Sequence, residues 1–232
     1  MPRVIREQTL SLFFLCIFAA TLIGQSIAGH AEYNNEESLH AELLTEQPEF
    51  LSYGRYITSS SFWRAVMENW QSEYLQFTLI MMATIYLVQR GSTESKTPGQ
   101  AGIEGKEQQR IGKYAGPLAP ALAVVDDWRT RIYENSLLIV MGLAFLGSWF
   151  AHSVTGWSAY NADQLSHQDP GGTVSWLGYV TSASFWEETL QNWQSEFLAV
   201  ASMVALSIYL RQRGSPESKP TGAPHVETAT EG

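Results

Sequence analysis

Asn69-Trp70-Gln71-Ser72-Glu73 returns unchanged as Asn192-Trp193-Gln194-Ser195-Glu196. Working outward, residues 56–96 align without a gap on residues 179–219, with about 22 of 41 positions identical. Upstream, residues 7–34 align on 134–161. That match ends in Ala-Gly-His-Ala-Glu-Tyr-Asn in one copy and Thr-Gly-Trp-Ser-Ala-Tyr-Asn in the other. The chain is a tandem duplication, and a repeat of this length sets the architecture before any local reading does.

Each copy holds two long apolar blocks. They cover about residues 9–28, 70–88, 136–154 and 193–210. Each is near the ~20 residues a helix needs to cross a ~30 Å hydrocarbon core. Helices satisfy their own backbone there. The expected fold is an all-α membrane protein of four transmembrane helices, arranged as two tandem parallel-repeat hairpins. The first repeat is residues 1–96, and a Gly-, Pro- and charge-rich cytoplasmic linker covers 97–127. The second repeat is 128–219, followed by a disordered tail at 220–232. The slightly negative mean hydropathy of the whole chain averages these blocks with polar loops.

Charge gives orientation. Of the 14 basic residues, 12 fall before the first block, between the second and third, or after the fourth. Only Arg55 and Arg64 lie in the other loops, which are acidic at Glu32, Glu36, Glu37, Glu42, Glu46, Glu49, Asp163 and Asp169. By the positive-inside bias both termini are cytoplasmic. Two spans per copy relate the copies by an axis along the membrane normal. The first block, with Arg3 and Arg6 ahead of it, also has the form of a signal peptide. Its match to the mid-chain third block predicts that it is retained. The net charge of −9 argues against nucleic acid as a partner. The single cysteine, Cys16, excludes an internal disulfide and a thiolate metal cluster.

The copies agree at the ends of the second and fourth blocks and drift between them. At the outer end, Ser59 to Ser61 offers helix N-caps. Phe62, Trp63, Val66, Met67 and Trp70 then follow at amphipathic spacing, which predicts a short interfacial helix in each copy. Trp63, Trp70, Trp186 and Trp193 are the expected interfacial anchors, with Arg90 and Arg213 at the inner end. Gly91 and Gly214 fit the left-handed position past a helix. Ala20, Gly24 and Ala28, matched by Gly147, Ala151 and Thr155, form a small-residue stripe suited to close helix packing.

Glu73 and Glu196 lie one turn below an interfacial Trp, where a carboxylate is costly and is a functional hypothesis by default. With Asn69, Asn192, Gln71 and Gln194 they form the candidate polar or ion site. The alternative is that each carboxylate reaches outward and only fixes a helix end. A metal site from His30, His40, His152 or His167 with either glutamate lacks the spacing of a known motif, and no metal or cofactor is expected. No nucleophile elbow, metalloprotease motif, P-loop or dinucleotide fingerprint is present, so an enzyme is poorly supported.

The repeated Asn-Trp-Gln-Ser-Glu, together with Gln-Arg-Gly-Ser-X-Glu-Ser-Lys at 89–96 and 212–219, resembles a family of bacterial integral membrane proteins defined as a domain of unknown function. The resemblance covers residues 6–224. It implies a multi-pass place in the bacterial cytoplasmic membrane and supplies no activity. Two function classes stay open. One is a non-enzymatic organising, sensing or partner-binding protein whose partners are the bilayer and a second copy or another membrane protein. The other is a small transporter or channel, proton- or cation-coupled through Glu73 and Glu196. A membrane enzyme is a weaker third.

Overall fold

The computed structural model describes residues 7–44, 47–166 and 172–229. Arg3, Arg6, Glu46, His167 and Asp169, which entered the charge and histidine readings, lie outside them. All regular structure among the described residues is helical. In chain order the helices are α1 (Thr9–Leu44), α2 (Tyr53–Tyr56), α3 (Ser60–Tyr86), α4 (Ala121–Val125), α5 (Trp128–Glu134), α6 (Ser136–Ser166), α7 (Trp176–Val180) and α8 (Ala183–Tyr209). Two of them, α1 and α6, are long and apolar enough to cross a bilayer by length and composition. Their large apolar side chains, such as Phe13, Phe14 and Ile23 on α1 and Leu143, Leu146 and Phe150 on α6, are exposed. A soluble protein rarely leaves so much apolar surface in water.

The helices overrun the expected blocks. α1 has 36 residues, roughly 54 Å at 1.5 Å per residue. It continues through the acidic segment expected to be loop, because Glu, Ala and Leu favour helix and neither Gly nor Pro interrupts residues 30–44. α3 and α8 correct the expectation of separate interfacial helices. Each runs unbroken for 27 residues, from the amphipathic turns into the apolar block. Ser59 caps α3 by accepting from Phe62 N at 3.3 Å, and Ser182 does the same for Phe185 N in α8. The inner ends also differ from expectation. α3 stops at Tyr86 and α8 at Tyr209, so Arg90 and Arg213 stand beyond the last turn, both exposed.

The chain divides into two units, residues 1–66 with 154–174 and residues 67–153 with 175–232. In the first, Asn34 clamps residue 51 through both backbone groups: Leu51 N donates to Asn34 Oδ1 at 2.9 Å, and Asn34 Nδ2 donates to Leu51 O at 3.1 Å. Asn161 holds Val174 in the same way, at 2.8 and 2.9 Å. His30 Nε2 lies 2.7 Å from Leu51 O, and Trp157 Nε1 donates to Val174 O at 2.8 Å. A Cβ on Gly24 or Gly147 would meet nothing within 4 Å, so the close packing expected of that stripe is not made at either glycine.

In the second unit, the Gln-Arg-Gly-Ser-X-Glu-Ser-Lys segments are staples. Gln89 N donates to Ser95 Oγ at 2.7 Å, and Gln212 N donates to Ser218 Oγ at 2.8 Å. Each loop turns at a glycine with positive φ, 90° at Gly91 and 84° at Gly214. Both lysines then gather later carbonyls. Lys96 Nζ donates to Gly102 O at 2.7 Å and pairs with Glu104 at 2.6 Å. Lys219, almost fully buried, donates to Gly91 O at 2.7 Å, His225 O at 3.0 Å and Glu227 O at 3.1 Å. Burial, with help from Arg211, holds its ammonium below the usual lysine range. Residues 220–229 make turns around Lys219. Ala229 N donates to Ser92 O at 3.2 Å. The linker has no long helix, but Lys106 pairs with Asp126 at 2.7 Å and Asp127 caps α5 by accepting from Arg129 N at 2.8 Å.

Candidate functional site

Three helices of the second unit bring ionisable side chains to one point. Glu68 of α3, His152 of α6 and Glu188 of α8 place one oxygen or nitrogen atom each within 4.8 Å of one another. His152 is fully buried and both carboxylates are half-buried. His152 Nε2 lies 3.4 Å from Glu188 Oε2. Burying groups of this kind is expensive unless they are paired or hold an ion.

Neighbours fix the orientation of each group. Asn192 Nδ2 donates to Glu68 Oε1 at 2.6 Å. The hydroxyl of the fully buried Tyr179 donates to Glu188 Oε2, and Ser184 Oγ donates to Glu188 Oε1, both at 3.4 Å. The imidazole stacks on Phe185, with centroids 5.4 Å apart and planes 23° apart. Trp149 stacks on the same phenyl ring and also contacts Trp186 and Trp193. One turn beyond Glu68, the fully buried Gln71 accepts from Trp193 Nε1 at 2.7 Å. Its Nε2 has no hydrogen-bond partner among the described residues. The same holds for the Oγ1 of buried Thr189, next to Glu188.

The residues expected from the repeat divide between this cluster and the surface. Asn192, Gln71 and Trp193 join the network around it. Asn69, Glu73 and Gln194 are exposed, and Glu196 is half-buried. Trp63 and Trp186 are exposed and Trp70 and Trp193 half-buried. Of the histidines, His30 serves Leu51 and His152 meets the carboxylate of Glu188.

The centre of the cluster lies where the two copies differ, so agreement between copies does not point to it. Glu68 aligns with Gln191, Glu188 with Ala65 and His152 with Gln25. The usable signal was different: two glutamates one turn or so before a repeated Trp, and a histidine near the end of an apolar helix. Those positions can converge wherever the helix ends do.

The chain belongs to the family described as "Domain of unknown function (DUF6766)", whose model matches residues 1–230. No curated protein and no solved structure matches it.

Proposed function

We propose that this family member is a multi-pass protein of a bacterial cytoplasmic membrane, with four spans in two tandem hairpins and both termini and the linker cytoplasmic. It acts there as a non-enzymatic binding or sensing protein, and its working centre is the Glu68–His152–Glu188 cluster. The exposed apolar faces of α1 and α6 support the membrane placement. The matched clamps of Asn34 on Leu51 and Asn161 on Val174 support the paired hairpins. In this topology the cluster falls at the outer ends of the spans.

The observation that carries the functional half is the cluster itself. Three ionisable groups from three helices are gathered where apolar packing would hold the helices at lower cost. Such groups at membrane depth mark sites of binding or transfer. The test is thermal unfolding of chelator-stripped protein in detergent, comparing wild type with Glu68→Gln/Glu188→Gln. If the cluster serves binding, removing its charges leaves the midpoint unchanged or raises it, by up to about 1–4 kcal/mol in stability. A midpoint that falls by several degrees makes the cluster a device of the fold and removes the functional reading.

The recurrence of Glu73 as the half-buried Glu196 in the second copy favours a second reading, a small proton- or cation-coupled transporter using that pair. Flux in proteoliposomes that is abolished by Glu196→Gln supports it; no flux with wild type removes it.

A further inference from the structure

We propose that Glu68, His152 and Glu188 hold one divalent transition-metal ion of the zinc class, bound from the outer face of the membrane. This rests on the reading of the cluster as a binding centre and names its ligand.

The donor set fits such an ion. One imidazole nitrogen and two carboxylate oxygens within 4.8 Å of one another are the ligand types and the spread that a single small cation draws together. A softer site would need thiolates, and Cys16, the sole cysteine, is exposed. A calcium site would need more oxygens and no imidazole. Three protein ligands leave at least one coordination position for water or an incoming group.

The surroundings are those of a built site. Ligating carboxylates are normally held by further hydrogen bonds, and loss of such a partner weakens metal binding roughly 10–100-fold. Here Asn192 holds Glu68 at 2.6 Å, while Tyr179 and Ser184 approach Glu188 at 3.4 Å. Phe185 fixes the plane of the imidazole. Independent of the acidic pair, two fully buried polar groups beside it in sequence, Gln71 Nε2 and Thr189 Oγ1, have no partner among the described residues. A water coordinated to an ion donates hydrogen bonds, which a buried hydroxyl such as Thr189 Oγ1 can accept. As ligands, an imidazole and two carboxylates balance the charge of a divalent ion.

The experiment is equilibrium dialysis of the full chain in detergent, stripped with chelator and then exposed to Zn²⁺, with metal counted by mass spectrometry. Co²⁺ serves as a spectroscopic probe. Expected are one Zn²⁺ per chain and a visible Co²⁺ spectrum of nitrogen and oxygen ligation. His152→Ala and Glu188→Gln should abolish both. Asn192→Ala keeps the three ligands and should weaken Zn²⁺ binding at least tenfold, which covers the case in which a ligand variant fails to fold. Three results overturn the proposal: no stoichiometric Zn²⁺ on wild type, binding untouched by the His152 and Glu188 variants, or a Co²⁺ spectrum unchanged by them. If Zn²⁺ does not bind while Glu68→Gln/Glu188→Gln still matches or exceeds wild-type stability, the metal falls and the binding centre stands. If that variant is also destabilised, both fall.

Discussion

Gly91 and Gly214 hold the same place in two copies of one motif, and their backbones agree at φ 90° and 84°. Their surroundings do not agree. A Cβ on Gly91 would collide with the carbonyl oxygen of His225 and press on Ile208 Cγ2 at 3.1 Å, whereas one on Gly214 would meet open space. Alanine at Gly214 should therefore cost only the left-handed backbone strain, roughly 1–2 kcal/mol. At Gly91 it should cost that strain plus displacement of the tail from Lys219. Thermal unfolding of the two variants checks this, and equal losses would contradict it. At this scale the sequence was legible where the backbone dictates the residue, as at these glycines and at the Ser59 cap. It was not legible where a side chain's role depends on what another helix brings to it. Lys219 sits in a cage of carbonyls while its counterpart Lys96 pairs with Glu104. The middle residues of the Asn-Trp-Gln-Ser-Glu copies likewise part company, with Gln71 buried and Gln194 exposed.

Among the elements, the clamps by Asn34 and Asn161 tie a long helix to the strand-free segment that returns the chain to a short one. Each asparagine satisfies one backbone donor and one acceptor. Asn34→Ala and Asn161→Ala should each cost roughly 1–3 kcal/mol, since they leave Leu51 N and Val174 N without a protein partner, while the two carbonyls keep His30 and Trp157. Amide exchange should quicken at Leu51 in the first and Val174 in the second. A loss in one variant and none in the other would show that the two clamps are not equivalent. Helix existence was legible from apolar runs and caps, and helix length was not. Residues 30–44 were read as loop for their charge, yet Glu, Ala and Leu sustain a helix wherever nothing breaks it. In α3 and α8 the amphipathic turns run into the apolar ones without interrupting the backbone ladder, so one helix covers both.

For the whole molecule, duplication and the placement of basic residues carried the reading. The chain's helical character and the two long apolar helices follow the sequence closely. The Glu68–His152–Glu188 cluster does not, because it is built where the copies differ and needs three helices in place to exist. The four-span hairpin topology is the claim on which both the location of the cluster and its access from outside depend. Cysteine labelling tests it most directly. In a Cys16→Ser background, single cysteines at the exposed positions Ser38, Gln100 and Gly222 are treated with a membrane-impermeant maleimide in intact spheroplasts. The account predicts labelling of Ser38→Cys at once, and of Gln100→Cys and Gly222→Cys only after the membrane is permeabilised. Labelling of Gln100→Cys in intact spheroplasts would contradict it.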